Sequence, residues 1–116
     1  MEGLTIQEAS ETTGWSARML RYVEQAGLVT PARTASGYRI YGAAELQRLR
    51  TLKELLARFD VALSDVAFAA RLEGDPSLQL AIREWLRSTP ERPEEVDPGD
   101  WLRFEQAKHE RLLSVA

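Results

Sequence analysis

Apolar residues along this chain recur mostly at spacings of three and four, and that period breaks once. A first helix is marked by Thr5 with Glu8 three positions on, a reciprocal capping box; it carries Ile6 and Ala9 as a short stripe, with Thr13 at its end, and stops at Gly14. Ser16 reads as a second N-cap, opening "ARMLRYVEQAG", where Met19, Leu20 and Val23 face inward and Gly27 supplies a left-handed C-terminal cap. Two short helices joined by "GWS" make a helix-turn-helix candidate. Between Gly27 and Gly42 the pattern changes: "LV" before Pro31 and "YRIY" after Ser36-Gly37 predict two short strands of a hairpin, with Gly37 free to take a positive φ.

Helical spacing then resumes. From Ala43 to about Arg58, Leu46, Leu49, Leu52, Leu55 and Leu56, followed by Phe59, form one apolar face that can close over the first two helices. A shorter helix is predicted over Ser64 to Leu72. Asp75-Pro76 restarts the chain as an N-cap followed by proline at the first helical position, and Leu78, Ala81, Ile82, Trp85 and Leu86 share a face that has to bury its tryptophan somewhere. Three prolines among acidic residues in "STPERPEEVDPGD" predict a linker that resists helix and compact packing. The last segment, Asp100 to Ala116, is predicted as a helix with Trp101, Phe104, Leu112 and Val115 on one stripe, interrupted by Lys108. Such a stripe needs a partner.

Composition narrows the possibilities. A chain of 116 residues with 44% hydrophobic positions supports one modest core rather than several large domains. No stretch approaches the roughly 18 consecutive apolar residues of a membrane span, and "MEGLTIQEAS" lacks the regions of a signal peptide, so a cytoplasmic protein with no membrane partner is expected. With no cysteine and a single histidine, His109, neither thiolate metal sensing nor cysteine nucleophiles are available, and no metal site or cofactor is expected. P-loop, GxGxxG, GxSxG and HExxH motifs are missing, and no residue set supplies nucleophile, base and orienting group, so an enzyme is not expected. The net charge of −3 hides an asymmetry: residues 1–58 carry eight Lys/Arg against six Asp/Glu, whereas residues 59–116 carry seven against twelve. The basic half, which holds the hairpin, is the anion-facing candidate.

In the second helix Arg18 and Arg21 are three apart and share a face, with Ser16 and Tyr22 near it and the inward residues opposite. That arrangement suits the DNA major groove, where arginine bonds guanine bidentately and apolar or aromatic groups meet thymine methyls. It is also compatible with an ordinary solvated helix face. In the hairpin, Arg33 and Arg39 can neutralise phosphates and the hydroxyls of Tyr38 and Tyr41 can bond phosphate oxygens, which would make it a wing; alternatively Tyr38, Ile40 and Tyr41 only pack a small sheet. Strict alternation puts Arg39 and Tyr41 on one face and Tyr38 with Ile40 on the other. Arg39 and Tyr41 are therefore the expected outward pair, Arg39 is favoured over Arg33 for phosphate, and Tyr38 is the wing residue expected to be structural.

The stretch "LTIQEASETTGWSARMLRYVEQAGLVTPARTASGYRIYGAAELQRLRTLKEL" resembles the N-terminal domain of MerR-family transcription regulators. Their pattern runs through a TIGEVA-type first helix, S-x-R-x-L-R-Y-Y-E-x-x-G-L, R-x-x-x-G-Y-R-x-Y and a leucine-rich helix, and the likeness covers about residues 3–72. The resemblance implies a mainly α fold: a winged helix-turn-helix with a short two-stranded wing, followed by C-terminal helices for dimerisation or packing. It implies binding to double-stranded promoter DNA as a homodimer, with the second helix in the major groove and the wing on the backbone, and makes RNA polymerase a candidate further partner. Carried over by position, Ser16, Ala17, Arg18, Arg21 and Tyr22 match the family's recognition-helix contacts, and Tyr38, Arg39 and Tyr41 its wing contacts, to which Arg33 is added as a phosphate candidate.

The chain departs from that pattern in several places. Val23 replaces the second tyrosine of "RYYE", Gly42 stands where a serine often caps the third helix, and "FDVALSDV" replaces "GFSLEEI". Asp60 must then end the third helix in a left-handed conformation, and Ala62 cannot cap the fourth. The expected organisation is a DNA-binding domain over 1–72, a connecting helix over 73–88, a Pro-rich acidic linker over 89–99 and a terminal helix over 100–116. A substantial ligand-binding domain is not expected after Leu72, and no effector is identifiable. Trp85, Trp101, Phe104, Leu112 and Val115 are expected as dimer or packing anchors, with a small pocket among Trp85, Trp101 and Phe104 as the alternative. The alternative function is a protein-interaction module whose acidic C-terminal half binds another protein.

Overall fold

The computed structural model describes residues 2–115. Met1 and Ala116, the last residue of the predicted terminal helix, lie outside them. Among the described residues, six helices and one two-stranded antiparallel sheet follow in the order α1 (Ile6–Thr13), α2 (Ala17–Gln25), β1 (Ala32–Arg33), β2 (Arg39–Ile40), α3 (Ala43–Phe59), α4 (Leu63–Glu73), α5 (Pro76–Arg87) and α6 (Trp101–Ser114). The fold class is the one expected. The chain divides into two compact units, Met1–Ala81 and Ile82–Ala116, and the division falls within α5.

Helix ends in the first unit follow their local chemistry. The Thr5 hydroxyl accepts from the Glu8 N–H while the Glu8 carboxylate accepts from the Thr5 N–H, which completes the capping box of α1. Gly14, at φ 81°, ends that helix in the left-handed region. The Ser16 hydroxyl accepts from the Met19 N–H at 3.1 Å. At the other end of α2 the N–H groups of Leu28 and Gly27 reach the carbonyls of Val23 and Glu24, a Schellman closure that depends on Gly27 at φ 73°. Asp60 ends α3 at φ 51°, the left-handed conformation that the missing glycine requires of it. Ala62 offers no cap, and the Asp65 carboxylate instead accepts the Ala62 N–H at 2.8 Å.

The core of this unit is formed by Ala9, Leu20, Val23, Leu28, Val29, Tyr41 and Leu49, with Leu63, Val66 and Ala70 of α4 packed against it. Three inward assignments need correction. Met19 is 41% exposed, because it lies at the flank of the stripe that Leu20 and Val23 centre on. Leu55 and Phe59 are exposed, so the buried part of α3 is its N-terminal half.

The hairpin also differs from expectation. Its first strand lies after Pro31, not before it: Ala32 pairs with Ile40 and Arg33 with Arg39, while Leu28 and Val29 are buried without being strand. Thr34 N–H to the Tyr38 carbonyl and Gly37 N–H to the Thr34 carbonyl close the turn. One residue past the paired strands, Tyr41 turns its N–H and C=O away from β1 and exchanges two 2.8 Å backbone hydrogen bonds with Leu4 on the other edge of its strand. The chain before α1 thereby lies along the wing. Gly3 fits there because a Cβ at its position would come 2.3 Å from the Ile40 Cγ2.

In the second unit, α6 and the end of α5 form as expected, but their stripes are largely uncovered. Trp85 is 74% exposed, and Leu86, Leu112 and Val115 are exposed, whereas Trp101 and Phe104 are half-buried. Among the described residues Trp85, Leu112 and Val115 are thus not part of the buried core. The Pro-rich segment is extended and turned, as its prolines require, but it does not stay clear of the packed structure: Val96 is buried, its carbonyl accepting from the Arg92 guanidinium.

Candidate nucleic-acid interface

Helix α2 has one face locked into the core through Leu20 and Val23 and the other turned to solvent. Arg18, Arg21 and Tyr22 are exposed, Ala17 is half-buried, and Ser16 is exposed with its hydroxyl spent on the helix cap. Among the described residues neither Arg18 nor Arg21 is in an ion pair. Two free guanidinium groups one helical turn apart, on a helix held rigidly from behind, form an anion-facing edge.

The wing stands beside that edge and is tied to it by a residue that the sequence reading does not single out. Glu24, on α2, receives both wing arginines: the Arg39 Nε donates to its Oε1 at 2.6 Å and the Arg33 Nη2 donates to its Oε2 at 2.9 Å. Arg33 also donates its Nη1 to the Gly37 carbonyl at 2.9 Å, so it braces the hairpin across its own turn. Arg39 is engaged only through Nε, and its two terminal nitrogens have no partner among the described residues. The hydrogen bond from Arg39 holds the Glu24 carboxyl below the usual carboxylate range, against the opposing effect of its partial burial, and Arg33 adds to the lowering. Glu24 in turn raises the Arg39 pKa. Sequence carries a signal for this residue, since from Thr12 to Ala44 Glu24 is the one acid among four arginines.

The two wing tyrosines exchange the roles that alternation predicts. Tyr38 is 73% exposed at the turn and Tyr41 is 1% exposed in the core, so Tyr41 is not part of an outward pair and Tyr38 is not a packing residue. Arg39 and Tyr41 do share a face, but it is the one turned toward α2, where Arg39 meets Glu24 and Tyr41 joins Leu20 and Val23 in the core. The Tyr41 hydroxyl has no hydrogen-bond partner among the described residues, and burial pushes its pKa up. Nearby charge acts in both directions, with Glu24 raising it and Arg39, Arg21 and Arg33 lowering it. Arg21 of α2 thus acts on Tyr41 together with the two wing arginines. Of the expected contacts, Arg18, Arg21, Tyr22, Arg33, Tyr38 and Arg39 lie at or near the surface of this helix and wing, and Tyr41 does not.

Two further contacts hold α3 behind this surface. The Arg48 Nε donates to the Leu28 carbonyl at 2.6 Å, and the Lys53 ammonium donates to the Thr13 carbonyl while lying 5.6 Å from the centre of the Trp15 ring. Among the described residues no three His, Asp or Glu side chains come together as a metal site, and no helix is long and apolar enough to cross a membrane.

Comparison with known proteins matches the region just described. The chain is 49% identical over 51 residues to the HTH-type transcriptional regulator HmrR of Sinorhizobium medicae, a match covering 43% of this chain and 35% of that protein. It is equally similar, over the same shares, to heavy metal-dependent transcription regulator 2 of Rhizobium meliloti. The matches thus span about a third of the length of these curated relatives. Among solved structures, HiNmlR, described as a MerR family regulator lacking the sensor domain and bound to promoter DNA, superposes with a TM-score of 0.51 at 22% identity over 98% of this chain and 84% of its own. The family model for MerR HTH family regulatory proteins matches residues 4–71, more than half of the chain, and with the capped helix pair and its attached wing this establishes that the chain belongs to the MerR HTH family of regulatory proteins.

Proposed function

We propose that this chain regulates transcription by binding double-stranded promoter DNA as a homodimer, with α2 in the major groove and the wing on the backbone. The observation that carries the reading is the pair of unpaired arginines, Arg18 and Arg21, on the open face of a helix whose other face is buried. Arginine on such a helix reads guanine edges, and the adjoining Tyr22 offers a surface for thymine methyls. Arg39, with its terminal nitrogens free, is the wing's phosphate contact, Tyr38 can add its hydroxyl, and Arg33 is the brace. Residues 1–72 are the DNA-binding part in this reading. Dimerisation uses exposed apolar residues of α5 and of the C-terminal segment, Trp85, Leu112 and Val115, with the half-buried Trp101 and Phe104 as further anchors. RNA polymerase would be the further partner at a promoter.

Heavy-metal dependence, named for the Rhizobium meliloti relative, is not carried over, because the present sequence holds no cysteine to serve as a soft thiolate ligand. Family membership favours this reading over a protein-interaction module, although the acidic half remains free to contact other proteins.

The test begins with selection of duplexes from a random-sequence pool by the purified chain. Replacing Arg21 by Ala should cost about 1–3 kcal/mol on the selected duplex and relax preference at one base position. Unchanged affinity and preference would remove α2 as the reading helix. Arg39→Ala should weaken binding to all sequences and make the dependence on salt shallower by about one phosphate contact.

A further inference from the structure

Glu24 is an acid placed on the surface that is proposed to face a polyanion, which is an electrostatic cost unless it does something there. What it does in the fold is specific. Each of its carboxylate oxygens holds one wing arginine, and both arginines come from the two paired strands, at positions opposite each other in the ladder. The carboxylate is half-buried at the junction of α2 and the hairpin, three residues after Arg21 and so one helical turn away on the same side. Fixing the Arg39 Nε leaves its two Nη groups aimed from a set position, as a planar guanidinium held along one edge presents the other.

We propose that Glu24 is a positioning residue for DNA discrimination: it locks the wing to the recognition helix in one register and occupies part of the wing's positive charge, so that backbone contact is made only where the groove contact is also made. The inference rests on the DNA-binding reading above. Its physical content is that a wing free to swing would find phosphate on any duplex, because phosphates are present at every step and only base edges differ. A carboxylate competing for the same guanidinium groups penalises those loose contacts. A locked wing forfeits them and retains the contact made in register with Arg18 and Arg21.

The experiment compares the full chain and Glu24→Gln, which keeps the side chain's size and removes its charge, on two probes: a duplex enriched by the wild-type chain and a random-sequence duplex. At about 100 mM salt the variant should bind random duplex about threefold more tightly and the enriched duplex about fivefold more weakly, collapsing the ratio of the two by about an order of magnitude. A residue with a purely structural role would weaken both together. In a chain that also carries Arg33→Ala and Arg39→Ala, adding Glu24→Gln should change the ratio by less than about twofold, since the partners through which it acts are gone. Arg39→Lys is the second variant, with Glu24 in place. A single ammonium cannot bond Glu24 and a phosphate through separate edges, so the ratio should fall there too.

A wild-type chain that enriches no sequence would refute the DNA-reading proposal itself. Enrichment by the wild type, with an unchanged ratio in Glu24→Gln or in Arg39→Lys, would overturn the role of Glu24 and leave that proposal standing.

Discussion

Helices α2 and α6 are both amphipathic, yet one has its apolar stripe buried and the other does not. Leu20 and Val23 of α2 are sealed under α1 and α3, whereas Leu112 and Val115 of α6 face solvent, as does Trp85 on α5. A stripe that the rest of the chain covers specifies a fold. A stripe left uncovered is what the proposed association would use, because contiguous exposed apolar surface marks interaction sites. The first unit thus holds the exposed face of α2 still, and in the proposed reading the second is met by another surface.

The contrast can be broken most directly through Leu20. Truncating it to Ala should cost about 2–5 kcal/mol of stability, read by urea unfolding, because a fully enclosed site cannot collapse around the loss. Trp85→Ala should behave in the opposite way. Below the dimer dissociation constant its unfolding midpoint should stay within about 0.5 kcal/mol of the wild type, while sedimentation shows association weakened by about 2 kcal/mol or more. If Trp85→Ala destabilised the isolated chain as much as Leu20→Ala, the distinction between the two units would fail. The smallest effect concerns acid. Glu24 titrates below its unfolded value in the fold, so its contribution to stability is present above about pH 4.3 and is lost as pH falls through the folded pKa. Its pairing with two arginines, one of them nearly half exposed, is worth about 1 kcal/mol, and Glu24→Gln should therefore lose about that much less than wild type on going from neutral pH to acid.

Features written in a few adjacent residues were legible in the sequence. The Thr5–Glu8 box, the Ser16 cap, Gly14, Gly27 and Gly37 in left-handed conformations, and Asp60 in place of a glycine all follow from neighbours within one turn of chain. What escaped depends on distant pairing. Alternation places Arg39 and Tyr41 on one face but does not say which face of the hairpin meets α2; contacts with Glu24 and the core decide that, and they turn Tyr41 inward. Glu24 escaped because its partners are 9 and 15 positions away. Its isolation among arginines, rather than any motif, is the trace it leaves. Val96 shows the same limit from the other side: proline and acid content describes the chain around it but not the one aliphatic side chain that finds cover.

The hydrogen-bonded seam between Leu4 and Tyr41 has a kinetic consequence. It closes a loop that contains α1, α2 and the whole wing, so every element of the proposed DNA-facing surface lies within a single ring of chain. Closing a ring of that length costs entropy before any of its contacts repays it, which places the seam late in folding, after the local helices. Once closed, it couples the opening of its members. The amide protons of Leu4 and Tyr41 should exchange with solvent together, at the rate of the slowest opening in the first unit, and the helix and the wing would be lost to DNA in the same event.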